Sequence, residues 1–227
     1  MAVFGIGLAL MLLASVLPRL RGQLLAAYPR TVNSHLGLKP SVAVLQQAVA
    51  DLQQALTSDA DPGHQQMLGI LLATIASDHS LPLLEKINAW QQAKSAFREG
   101  LAASPVDPYG WYRLALINQQ TGMPLADILQ ALKLSLYAGP VEPELMMERI
   151  KLLYAYRRYL DSELQGLAQH QLRLAWELKK SQLLVWLARE SDALAWVEPV
   201  FVDHLEQWSE LQNAVNRLAK TAAARRR

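Results

Sequence analysis

The chain has 227 residues, enough for one large or two small domains, of which 52% are hydrophobic and 19% charged. A net charge of +2 is too small to imply a nucleic-acid or other polyanionic partner. The absence of cysteine removes disulfides, thiolate catalysis, Fe–S clusters and cysteine-based zinc sites.

The first element is MAVFGIGLALMLLASVL, Met1 to Leu17, which carries no charged side chain and ends at Pro18, Arg19 and Arg21. About 17 residues is the lower limit for a helix that spans a bilayer. No basic residue precedes the run and no small-x-small cleavage site follows it, so residues 1–22 read as an uncleaved transmembrane anchor rather than an export signal. Gly5 and Ala9 have the small-xxx-small spacing that lets a second helix approach. Residues 23–40 read as a juxtamembrane connector broken by Pro29, Gly37 and Pro40. The flank carries Arg19, Arg21, Arg30 and Lys39 with no acidic residue before Asp51, and the positive-inside rule puts such a flank in the cytoplasm.

From residue 41 to 222 nearly everything has helical periodicity, and the expectation is one all-α domain. Ser41 to Leu56 places Val42, Leu45, Val49, Leu52 and Leu56 on one face. Asp61 is an N-cap and Pro62 a first-turn residue for a helix to Ala76. DHSLPLLEK is a linker or short helix before one spanning Ile87 to Ala102. Asp107 and Pro108 start the next, which ends with Gly122 as C-cap. LADILQALKLSLYA follows, then the corner YAGPVEPE, where Gly139 is expected to take the left-handed conformation, Pro140 to stop one helix and Pro143 to start the next. Further helices are expected at about 143–159, 162–179, 182–190 and 200–221, the last with Phe201, Leu205, Trp208, Leu211, Val215 and Leu218 recurring every three or four residues. Residues 223–227 are a basic tail ending in Arg225, Arg226 and Arg227. Helices of this length with short breaks make antiparallel hairpins.

The hairpins repeat. Ala93-x3-Phe97-x2-Gly100, with Pro105 beyond, returns 35 residues later as Ile128-x3-Leu132-x2-Ser135 with Pro140, and more loosely as Ala168-x3-Leu172-x2-Ala175. A small residue lets two helices approach, and a large one a turn along fills the groove. Trp111-x2-Leu114-Ala115 lies between the first two copies. With Phe97 and Pro105 it matches the tetratricopeptide pattern, except that Asn118 stands where tyrosine is usual. A TPR-like superhelix is therefore expected.

Candidate chemistry is sparse. None of His35, His64, His79, His170 and His204 lies three to five residues from another, so no helix-borne metal pair is expected, and no motif asks for a cofactor. Glu142, Glu144, Glu148, Asp161 and Glu163 gather around one hairpin, the residue types of a paired-carboxylate glycosidase. Glu142 and Glu144 nevertheless fall in a helix's first turn, where negative charge suits the macrodipole, and Glu148 has Arg149 and Lys151 beside it. No catalytic residue is assigned. The candidate partner-binding surface is Trp111, Tyr112, Tyr154, Arg157 and Arg158, in a region that also holds Tyr156 and Tyr159. Such residues serve core packing and docking alike.

Taken with an N-terminal membrane helix and a connector, three segments resemble a family. They are DPYGWYRLALINQQTG, ALKLSLYAGPVEPELMMERI and LDSELQGLAQHQLRLAW. Their order is similar to that of the small membrane-anchored, TPR-like proteins of bacterial exopolysaccharide gene clusters, the VpsP-type polysaccharide biosynthesis proteins. The resemblance covers most of residues 90–190. It implies a non-catalytic accessory role in polysaccharide biosynthesis or export, other proteins of that machinery as partners with glycan as a further candidate, a single pass through the inner membrane and a periplasmic helical domain. The last point opposes the positive-inside reading. Two other classes stay open from the residues alone: a general envelope assembly factor with a TPR-like domain, and a membrane-tethered glycan hydrolase.

Overall fold

The computed structural model describes the backbone of residues 2–190 and 192–224. The side chains at 1–10, 12, 13, 191, 222, 223 and 225–227 lie outside the described residues, and with them the Gly5/Ala9 spacing and the arginine tail. The described chain is all-α, with no strand. Among the described residues no helix is long and apolar enough to cross a membrane; the run on which the anchor expectation rests lies mostly outside them. The chain divides into two compact units, Met1–Ala131 and Leu132–Arg227.

In the first unit, α1 (Ala2–Leu25) continues through Pro18 and docks its end on α3 (Val42–Ser58). Gly22 makes that approach possible: a Cβ there would lie 2.8 Å from the Cβ of Asp59. The connector is largely helical. It holds α2 (Ala27–Ser34) and a 3-10 turn at Leu36–Leu38. Pro29 falls in the first turn of α2, where a missing N–H breaks no helical bond. Leu45, Ala48, Val49, Leu52 and Ala55 form the buried face of α3, so two alanines take the places that periodicity gave to Val42 and Leu56.

α4 (Pro62–Ala76) begins as expected, with Asp61 Oδ1 accepting from the backbone N–H of Gly63 at 2.6 Å. α5 (Leu83–Ala103) absorbs half of the anticipated linker and packs along α4. Phe97 is fully buried against Gly69 of α4, a burial that stabilises by about 1.5–3 kcal/mol. α6 (Pro108–Gln120) is capped by Asp107, whose Oδ1 accepts from Tyr109 N at 2.9 Å. Beyond it Gly122 takes φ +64°, and Met123 N donates to Asn118 O at 2.9 Å, which ends the helix.

α7 (Leu125–Ala138) straddles the division. In the second unit α8 (Pro143–Ala155) stops short of Tyr159, and Arg157–Tyr159 form a 3-10 turn instead. α9 (Ser162–Leu178) starts on Asp161, whose Oδ1 accepts from Leu164 N at 2.7 Å. α10 (Lys180–Arg189), the short α11 (Ala193–Val197) and α12 (Leu205–Ala224) complete the chain. The last helix begins later than its pattern suggested. Phe201 lies in the turn before it, stacked on Trp208 at 6.2 Å and edge-on to Trp176 at 5.5 Å, while Leu205 is exposed. Leu211 and Val215 carry α12 onto a core built from Met146, Ile150, Leu172, Trp176, Leu183 and Leu187.

All nine positions of the recurring pattern are buried: Ala93, Phe97 and Gly100; Ile128, Leu132 and Ser135; Ala168, Leu172 and Ala175.

Candidate interaction surface

Trp111 and Tyr112 belong to the first unit and divide their roles as adjacent helical residues must. Tyr112 is buried. Trp111 is half-buried and donates from Nε1 to Pro105 O at 2.8 Å, so two members of the TPR-like pattern are tied to each other directly. Asn118, the departure from that pattern, is also buried. Its Nδ2 donates to Asp127 O at 3.2 Å and ties α6 to the first turn of α7. Neither tryptophan nor tyrosine at 111–112 offers a wholly free face.

Tyr154, Arg157 and Arg158 belong to the second unit. The Tyr154 ring meets Trp186 edge-on at 5.4 Å and Trp196 at 5.5 Å, and the Arg157 guanidinium lies over it at 4.1 Å. Arg157 also donates to Tyr154 O at 3.0 Å, so it is held by the ring's face and by a backbone acceptor. It lines a small cavity of about 180 Å³ with Gln165, Gln169, Trp196 and Pro199. Arg158 and Tyr159, by contrast, are exposed. The patch read from sequence thus splits into a packed half, Tyr154 and Arg157, and a presented half, Arg158 and Tyr159. Trp186 and Trp196 belong to the packed half. They are distant from Tyr154 in sequence, and only the folding of α10 and α11 brings them to it.

The carboxylates of the same hairpin all have structural partners. Glu148 pairs with Lys151 at 2.6 Å and Glu144 with Lys179 at 3.1 Å. Glu163 accepts from Lys133 and from the Tyr137 hydroxyl. Those contacts hold the Glu163 carboxyl below its ordinary pKa, the Lys133 hydrogen bond being the largest cause, and the same carboxylate raises both Lys133 and Tyr137. Asp161 is spent as an N-cap, and Glu142 stands at the N-cap of α8 without a side-chain cap bond.

The YAGPVEPE corner is locked from two sides. Arg149 does not pair with Glu148. It turns inward, fully buried, and donates from Nε to Ser135 Oγ at 3.0 Å, from Nη2 to Ser135 O at 2.6 Å and from Nη1 to Gly139 O at 2.7 Å. A cation at the C-terminus of α7 satisfies carbonyls that the helix leaves open and opposes its negative end. Gln171 of α9 donates to Pro140 O at 2.6 Å. Gly139 does not take a left-handed conformation; among the described glycines only Gly122 has a positive φ of that kind. Pro140 and Arg149 end α7 between them.

Of the histidines, His64 is buried with Nε2 3.0 Å from Arg30 Nη2, and His35 lies 2.8 Å from Thr31 O. Among the described residues no three His, Cys, Asp or Glu side chains are grouped to hold a metal. The second unit also has an open groove of about 410 Å³ between α8 and α10, with Trp186 and Met147 as floor and Lys151 and Arg189 at its edges. What these surfaces offer chemically is stacking area, cations and amides. No family model and no curated protein matches the chain.

Proposed function

We propose that the chain is a non-catalytic, membrane-anchored scaffold of a bacterial polysaccharide biosynthesis or export machine, with TPR-like hairpins that hold partner proteins. The reading rests on the resemblance carried by the α6, α7–α8 and α9 segments. The observation that carries it furthest is the contrast within α1. Met11, Val16, Leu17 and Leu20 are all more than half exposed, and Ala26 just after the helix is fully buried. An apolar flank turned outward, followed by a docked end, suits a helix inserted in lipid and fixed to its domain, and does not suit a core helix. The nine buried positions of the recurring pattern support the TPR-like reading. That every carboxylate around the hairpin is tied into local structure or sits at a helix start supports a binding rather than a hydrolytic role. The helical domain is placed in the periplasm on the resemblance alone.

Deletion of the gene is expected to abolish surface polysaccharide while respiration and secretion stay normal. Polysaccharide retained with a respiratory or secretion defect rejects the reading in favour of a general envelope assembly factor. Alkaline phosphatase fused after residue 227 is expected to be active, and an inactive fusion places the domain in the cytoplasm.

A further inference from the structure

Among the described residues, Arg113 is the only side chain that brings a charge to a mainly apolar groove of about 320 Å³ in the first unit, where α4, α5 and α6 converge. Ile70, Ala73, Trp90, Phe97, Leu116 and Ile117 form the walls. Two hydroxyls also line it, but both donate to their own helix: Thr74 to Ile70 O and Ser77 to Ala73 O, each at 2.8 Å. Their protons are therefore already committed.

The arginine is half-buried and has no hydrogen-bond acceptor or ion-pair partner among the described residues. Its neighbours do not replace one. The Tyr109 ring centroid lies 5.8 Å away, and the cap carboxylate of Asp107 is engaged with Tyr109 N through Oδ1. Burial pushes the guanidinium below its ordinary pKa, against a weaker opposing pull from Asp107 and Tyr109. A desolvated guanidinium with open donors is costly to leave unpaired and recognises planar oxyanions well. Two other cations at grooves of this protein are already answered: Lys151 by Glu148, and Arg157 by a carbonyl and a ring.

We propose that this groove binds a small amphiphilic monoanion, an apolar carboxylate whose hydrocarbon part lies on the α4–α5–α6 walls and whose oxygens take the donors of Arg113. The volume is at the lower end for small-molecule sites, and three helices meet at it, which favours a compact ligand over an extended segment of protein.

The test uses the full chain in lipid nanodiscs, with empty nanodiscs subtracted, and two water-soluble probes that differ only in charge, 4-phenylbutyrate and 4-phenylbutanamide. Equilibrium dialysis is expected to give tighter binding of the carboxylate by at least about tenfold. Arg113→Gln is expected to erase that preference by weakening the carboxylate about tenfold and leaving the amide unchanged. Arg113→Lys, which keeps the charge, retains most of it. Equal binding of both probes to the wild type overturns the proposal, as does an unchanged carboxylate affinity in a helical Arg113→Gln protein. Binding of neither probe while an acidic amphipathic peptide binds overturns it too, and marks the groove as a protein-docking surface.

Discussion

The Phe97 ring occupies the space that a side chain on Gly69 would need: a Cβ at Gly69 would lie 2.7 Å from Phe97 Cε2. The ring is fully buried, so it cannot swing into solvent to make room. The close approach of α4 and α5 therefore depends on this pair.

Gly69→Ala is expected to destabilise the protein by about 1–3 kcal/mol through overpacking, although alanine is the better helix former by about 1 kcal/mol. Gly166 is the control. It is an exposed glycine within α9 with nothing within 4 Å of an added Cβ, so Gly166→Ala is expected to stabilise by up to about 1 kcal/mol. Denaturant midpoints for the two variants move in opposite directions. A neutral Gly69→Ala rejects the close-approach argument.

Arg149 is expected to be the most sensitive charged residue in the chain. It is fully buried and answers Ser135 Oγ, Ser135 O and Gly139 O together. Arg149→Ala strips those buried acceptors of their donors and leaves a cavity, at a cost of at least about 2 kcal/mol. Arg149→Lys recovers little, because one ammonium cannot reproduce the planar fork. Thermal unfolding measures both, and a Lys variant as stable as wild type sinks this account.

These two sites show which parts of the fold were legible in the sequence. Caps and breaks were readable because their signals are local: Asp61 and Asp107 before a proline, Gly122 after a helix. The recurring pattern was readable because its spacing keeps its positions on one helix face, and all nine are buried. Arg149 was not. Beside Glu148 it looks like half of a surface pair, and only the packing of α8 against the end of α7 turns it inward. The eight residues of α2 and the five of α11 are too short for periodicity to stand out from their flanking breakers. Tyr154 and Arg157 were found as a cluster, but their division from Arg158 and Tyr159 depends on Trp186 and Trp196, which only tertiary structure brings near. Arg113 carried no sequence signal at all, because the absence of a partner cannot be read from spacing.

The Lys133–Glu163–Tyr137 cluster predicts a pH signature. Glu163 titrates below the usual 4.5, so its contribution is present above that value and is lost as pH falls through its lowered pKa. Lys133 titrates above the usual 10.5 and Tyr137 above the usual 10.0, so their contributions are present below those values and are lost as pH rises through the raised ones. The difference in melting temperature between wild type and Glu163→Gln is therefore expected to be a plateau at neutral pH that collapses at both ends. A difference that is flat across the acid range contradicts the assignment. Glu163 and Tyr137 are solvent-exposed and Lys133 is half-buried, so the plateau itself is expected to shrink in high salt.

The division of the aromatic-basic patch gives the last prediction, which separates stability from docking. Arg157 covers the Tyr154 ring at 4.1 Å and donates to its backbone, so Arg157→Ala is expected to destabilise by about 1–2 kcal/mol from a lost cation–π contact, a lost hydrogen bond and lost packing. Arg158 and Tyr159 are exposed, and Arg158→Glu with Tyr159→Ala is expected to leave stability within about 1 kcal/mol of wild type. If the presented half docks a partner of the proposed polysaccharide scaffold, the double variant lowers polysaccharide output at unchanged protein level, because rim charges and exposed aromatics set encounter and anchoring without contributing to the fold. Normal output from the double variant removes this surface from the docking role. Loss of output that tracks only with Arg157→Ala assigns the whole patch to folding.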